Sequence, residues 1–440
     1  MSCSKKAPKG MRDLFPKEKR ILDYLFDNMK KCVKSFGYEP YDGPMCEELD
    51  LYRAKSGQEL INEQVYSFTD RGGREMAIRP EMTPTVARMV SQIYREVALP
   101  LRWFSCPNLL RYENPQRGRL REHWQFNCDI FGAQEEFSLI EVFSILVFIM
   151  KNFNATEEHY RIFLNDRKIV QEMLETKLKL DAEQSLKVVK LLDRSKKMKS
   201  DDLDKEIFSL FGGEKEKVAF LKNYLSLKDF SGLLSFLKKE NFSSELFKRI
   251  ESLKEKLSFL FPANLISYDP SIVRGLDYYT GFVFEIFDLN PVNARAICGG
   301  GAYGELLKIF GESELQGVGF GLGDVTLRNF LEGHHLLPDF EKNEVEFFVA
   351  ALDEGENISL KLAKLSNDLR EKKVSLLYWP TVVKFKKLFS LAQKSSSKMA
   401  LFMGESEEKK KVVLVKKLAT QDQREFLLND VEGIFSFARE

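Results

Sequence analysis

Four guanidinium groups, Arg111, Arg117, Arg119 and Arg121, fall within eleven residues around Pro115 and Gly118. Guanidinium forks match phosphate and carboxylate oxygens, and Pro and Gly punctuate a turn. The segment therefore reads as an arginine-rich loop suited to a polyanion. Apolar runs flank it: Leu101 to Cys106 comes before, and Trp124, Phe126, Cys128 and Ile130 alternate after it. That alternation has the period of a half-buried strand, which puts Gln125, Asn127 and Asp129 on its opposite face. An antiparallel pair joined by the loop would hold a small polar ligand over the strands.

Two further segments carry chemistry. In Arg79-Pro-Glu-Met-Thr-Pro-Thr85, the Glu81 carboxylate and Thr83 hydroxyl sit on backbone stiffened by two prolines, and their acceptors suit an ammonium group. Taken alone, a turn with a local ion pair from Arg79 is the simpler reading. In Arg274-Gly-Leu-Asp-Tyr-Tyr279, the arginine could grip a carboxylate or a phosphate charge while Tyr279 covers a polar ring. A strand-edge arginine with two core tyrosines explains that segment equally well. Glycines at 299–301 and 317–323 permit close backbone approach, but their spacing is not a dinucleotide fingerprint.

The elements that must position these groups follow from periodicity. Apolar residues at helical spacing run from residue 17 to 36, short strand-like runs continue to about 132, and a buried helix spans Ser138 to Asn152. Residues 154–262 are rich in Lys, Glu and Leu with helical spacing and read as a helical insertion. The Gly-rich strand pattern then resumes, so the chemistry-bearing sequence is split in two. A linker precedes alternating strands and helices: Val345–Asp353, helix Ile358–Lys373, Val374–Trp379, helix Val383–Ser395, Met399–Gly404, Lys411–Leu418 and helix Thr420–Ala438. This alternation predicts a small α/β domain around a largely parallel sheet. Between Lys384 and Lys417 ten lysines face three glutamates, a basic stripe compatible with an RNA backbone or with a solvated face.

Composition narrows the class. With 440 residues and 44% hydrophobic content, two or three domain cores can be buried, and the net charge of +1 is uninformative about nucleic acid. Six scattered cysteines without a Cys-x-x-Cys pair fit reduced thiols, and the four histidines lack metal-ligand spacing. No metal site is expected. The polar start does not read as a signal peptide and no run reaches a membrane-span length, so a cytoplasmic protein without membrane contact is expected.

In order along the chain, Ala7 to Pro16, Phe68 to Arg74, Arg79 to Thr83, Arg111 to Gly132 and Arg274 to Tyr279 together resemble the histidyl-tRNA synthetase family of class II aminoacyl-tRNA synthetases. The resemblance implies an α+β fold with a mainly antiparallel sheet of six or seven strands and flanking helices. The catalytic domain would occupy 1–153 and 263–336, the helical insertion 154–262, and an anticodon-binding-like α/β domain 344–440. It implies ATP-dependent ligation of L-histidine to tRNA(His) through a histidyl-adenylate, with Mg²⁺ bound alongside ATP, in a homodimer. Arg111 and Arg274 would be catalytic. Glu81, Met82, Thr83, Arg111, Gln125, Asp129, Arg274, Tyr278, Tyr279 and Tyr303 would bind histidine. ATP would meet Arg111, Glu113, Arg121 and Arg274, and Gln116 would meet the tRNA acceptor end.

Several positions depart from the family pattern. Asp129 stands where Glu is usual, Trp124 where His is usual, and Asn114 where an arginine is common. Ala302 and Gly304 replace charged residues around Tyr303. The third motif, which usually ends Gly-x-Glu-Arg with the arginine clamping ATP, reads Gly323-Asp-Val-Thr326. Arg328 lies roughly 200° further around a helix and cannot substitute. A catalytically silent, histidine-binding paralogue of the ATP phosphoribosyltransferase regulatory type is the alternative.

Overall fold

A computed structural model describes residues 3–54, 63–273, 278–293, 295–312, 315–340 and 345–440. The chain divides into two compact units, Met1–Leu337 and Pro338–Glu440.

In the first unit, nine strands form one sheet among the described residues, ordered Glu39–Pro40, Leu101–Ser105, Glu122–Phe131, Gly317–Gly323, Ala296–Tyr303, Phe282–Asp288, Tyr160–Asp166 and Ile266–Tyr268, with Asn108–Leu110 also on Glu122–Phe131. The six- or seven-strand expectation is exceeded because short strands extend both edges in parallel. The interior pairs are antiparallel. The expected pair is present, with Leu101 opposite Phe131 and Phe104 opposite Cys128.

One sheet face is apolar. Phe284, Gly300, Phe320 and Cys128 lie in one cross-strand row, and Phe143 of the Glu135–Asn152 helix packs edge-on against Phe284 at 4.9 Å between ring centroids. That helix packs in turn on Pro16–Ser35, which buries Leu22, Leu25, Met29 and Val33. Burial of side chains of this size contributes roughly 1.5–3 kcal/mol each and fixes the sheet's orientation.

The helical region begins later than expected. Tyr160–Asp166 is a sheet strand, and helices run from Arg167 to Leu260. Helical spacing at the start of this block concealed a strand buried on both faces, which lacks clean alternation. Arg249 of the Ser244–Leu260 helix ties the block to the sheet: its Nε donates to Asp166 at 2.6 Å and its other end meets Glu135.

The second unit contains a five-stranded sheet ordered Leu376–Tyr378, Val345–Ala351, Ser397–Met403, Val412–Lys417 and Gln423–Leu427. The first three strands are parallel and the last two antiparallel. Phe347, Val349 and Leu401 pack under Glu356–Glu371 and Val431–Arg439, and Phe348, Ala350 and Phe402 under Phe385–Lys394. The expected helix over Thr420–Ala438 is corrected: Gln423–Leu427 is an edge strand and only Val431–Arg439 is helical. Phe426, Leu427, Val431 and Ile434 fit a helical period, but the exposed Val412–Lys417 edge recruits the first part of this segment into backbone pairing.

Candidate active site

The centre of the sheet's other face is built from small residues. Gly301 pairs with Gly319 and Gly299 with Gly321 on adjacent strands. On the neighbouring strand, Asp129 and Asn127 lie opposite Gly319 and Gly321, and Gln125 lies opposite Gly323. The result is a glycine floor bordered by a polar row. A Cβ on Gly319 would lie 2.0 Å from Asp129 Oδ1, and one on Gly301 would lie 2.7 Å from the Tyr279 ring. Both glycines are required by close approach.

Asp129 is fully buried, and desolvation pushes its carboxyl up to about 7, with the Tyr303 hydrogen bond pulling the other way. The Tyr303 hydroxyl donates to Asp129 Oδ1. Tyr278, Tyr279 and Tyr303 form a cluster, with the first two ring centroids 4.7 Å apart. Tyr278 also donates to Glu81 Oε2 at 3.0 Å and lies 3.3 Å from Thr83 Oγ1. Glu81, Thr83, Asp129, Tyr278, Tyr279 and Tyr303 therefore form one linked patch. Met82 differs: its side chain points toward Gly43 in the core.

Beside this patch lies a hollow of about 170 Å³ lined by Arg111, Glu113, Arg119, Gln125 and Thr326, among others. Arg111 is fixed at its mouth, with Nε donating to the Pro80 carbonyl at 2.7 Å, next to Glu81. Glu113 is buried and paired with Arg119 at 2.6 Å. Arg121 is not brought into this hollow; its guanidinium lies 3.9 Å above the Tyr112 ring, and its Nε donates to the Glu113 carbonyl. Arg119 lines the hollow with Arg111 instead, because the loop turns at Gly118 with φ +76°. Gln116 sits at the turn, its N–H donating to the Arg119 carbonyl. Arg274 lies outside the described residues.

The structure adds two residues that motif reading had not assigned. His123 lines the hollow, and burial followed by the charges of Arg111, Arg12 and Arg119 lowers its pKa to about 3, so the ring is neutral. Its strand parity with Gln125 and Asp129 was the available signal. Asp324 is the other: buried at the start of the Asp324–Gly333 helix, it accepts from Arg12 and from the Trp124 N–H at 3.0 Å. Only the fold brings Arg12 there.

An antiparallel sheet with one face packed on helices and the other carrying an arginine-lined hollow beside a buried polar patch is the arrangement that the sequence resemblance implied for the catalytic domain of a class II aminoacyl-tRNA synthetase. A family model described as histidyl-tRNA synthetase matches residues 10–325. The chain is 40% identical over 427 residues to a histidine–tRNA ligase of Leptospira biflexa, covering 96% of this chain and 95% of that one. It is 35% identical to the chloroplastic/mitochondrial histidine–tRNA ligase of Arabidopsis thaliana, covering 97% and 85%. A histidyl-tRNA synthetase crystal structure from Nostoc sp. PCC 7120 shares the fold with a TM-score of 0.81 at 19% identity, covering 99% of this chain and all of that one. The chain belongs to the histidyl-tRNA synthetase family.

Proposed function

We propose that this chain ligates L-histidine to tRNA(His) in two steps, using ATP. The observation that carries the reading is the buried Asp129–Tyr303 pair set beside the Arg111 hollow. A fully buried carboxylate favours a ligand that donates a hydrogen bond, as an imidazole N–H does, and an apolar isostere would leave it unpaired. Glu81, Thr83 and Gln125 offer acceptors to the ammonium. The histidine carboxylate then lies toward Arg111, attacks the α-phosphorus of ATP and displaces pyrophosphate. The histidyl group moves to the 3′ end of the tRNA in the second step. Arg111, and Arg274 from the matched motif, would offset charge on the carboxylate and phosphate, making catalysis a matter of positioning and electrostatics.

ATP would occupy the hollow over Glu113, and Gln116 at the loop tip would face the acceptor end. Among the described residues no three His, Cys, Asp or Glu side chains gather as a metal site. Mg²⁺ would therefore be held chiefly by the phosphates, with Glu113 as the nearby carboxylate, and would screen their charge. We assign residues 344–440 to anticodon binding and the active form to a cytoplasmic homodimer. Among the described residues no helix is long and apolar enough to cross a membrane.

The non-catalytic alternative would bind histidine without activating it. Against it, the match to relatives named as ligases runs through both units. Histidine-dependent exchange of pyrophosphate into ATP, followed by charging of tRNA(His), tests the proposal. Histidine binding without exchange would sink it.

A further inference from the structure

Thr326, at the position where the family pattern has its ATP-clamping arginine, brings no charge to the hollow. Its hydroxyl lies 3.0 Å from the Ile297 carbonyl and 3.1 Å from that of Gly323, so its proton is used on the backbone. Arg328 is engaged with Glu332 at 2.7 Å on the same helix. A guanidinium nevertheless reaches the vicinity of Thr326 from another element: Arg295, immediately before the Ala296–Tyr303 strand. A Cβ on Gly118 would lie 3.2 Å from Arg295 Cδ and 3.7 Å from Thr326 Cγ2. Both side chains thus converge on the tip of the arginine-rich loop.

Arg295 lines a cavity of about 190 Å³ that shares Gly118, Ile297 and Thr326 with the hollow of Arg111 and Arg119. Among the described residues, its side chain makes no hydrogen bond or ion pair. Burial first, and then the facing charge of Arg119, lower its pKa, and Glu113 opposes them. Among the described residues, Arg111, Arg117, Arg119 and Arg295 outnumber the carboxylates of Glu113, Asp288 and Asp324 that line the two cavities, and that excess of positive charge is relieved by a polyanion.

Building on the function proposed above, we propose that Arg295 grips the phosphate chain of ATP opposite Arg119, supplying from the Ala296–Tyr303 strand the charge that Thr326 lacks. Arg295 and Thr326 line the same cavity from different backbone routes, and a bidentate fork tolerates such a change of origin because only the position of its donors matters.

Arg295→Met keeps the stem that packs on Gly118 and removes the charge, and Arg295→Lys keeps the charge. ATP Kd by calorimetry and ATP KM in pyrophosphate exchange are measured for both. Removing one charge-assisted contact is expected to raise both constants roughly 10- to 100-fold in Arg295→Met. Histidine KM and Tm should stay near the unsubstituted values, and Arg295→Lys should recover part of the loss. Adding Thr326→Arg to Arg295→Met should restore ATP binding from the Asp324–Gly333 helix. An Arg295→Met chain with unchanged ATP Kd and KM would show that Arg295 merely props the loop, and the proposal would fall. An unsubstituted chain that binds ATP without exchange would overturn the functional reading instead, while its Kd still tests Arg295.

Discussion

Tyr303 reaches across the strand containing Gly319 to donate a hydrogen bond to Asp129, two strands away. The intervening strand permits this because Gly319 has no Cβ to occupy the space of the Asp129 carboxylate. One glycine, one tyrosine and one aspartate thus form a single device whose parts lie far apart in the chain.

Tyr303→Phe removes the hydrogen bond that opposes the upward shift of the Asp129 carboxyl. Asp129 then holds its proton to higher pH, and a protonated carboxyl is a poorer acceptor for an imidazole N–H. Histidine KM should rise roughly 10-fold at pH 7, with partial recovery on raising the pH. A KM–pH profile parallel to that of the unsubstituted chain would separate Tyr303 from Asp129.

Asp129→Asn should stabilise the fold while impairing histidine use. The folded carboxyl titrates at about 7 and the ordinary value is 3.8. Below about pH 4 both states are protonated and the group is neutral in effect. Between pH 4 and 7 only the unfolded state ionises, so its stability cost grows, and above 7 it is constant. The Tm gain of the variant should therefore be full at pH 8 and vanish toward pH 4. A pH-independent difference in melting curves would contradict the assignment.

Gly319→Ala places a methyl group 2.0 Å from Asp129 Oδ1 and 3.0 Å from the Cys128 carbonyl. Overpacking of this kind costs about 1–3 kcal/mol and displaces the carboxylate. Calorimetry should show histidine affinity lost along with a lower Tm. Undiminished histidine binding would mean that the glycine floor is not needed for the ligand.

Arg249→Met strands a carboxylate, since the Asp166 side chain is wholly buried. Breaking one half of such a pair costs about 3–5 kcal/mol. Urea unfolding should register that loss, and adding Asp166→Asn should return part of it. If the single variant unfolds at the same midpoint, Arg249 does not anchor the helical block.

Local pattern determined much of this protein. Alternation over Trp124 to Ile130 set the parity of Gln125, Asn127 and Asp129, and the turn residues marked the arginine-rich loop, because strand faces and tight turns are decided by near neighbours. Its limits show where no short-range rule applies. A loop has no fixed period, so whether Arg119 or Arg121 enters the hollow depended on the turn at Gly118 and on Tyr112 as a stacking surface. Backbone pairing partners cannot be read from hydropathy, so Tyr160–Asp166 and Gln423–Leu427 became strands only when existing sheet edges offered them hydrogen bonds. The sequence by itself determined which strand residues share a face and where the arginine-rich loop turns. Tertiary structure alone decided that Tyr303 meets Asp129 and that Arg295 stands beside Thr326, because contacts between distant segments are set by how strands are ordered in the sheet, which spacing along the chain does not encode.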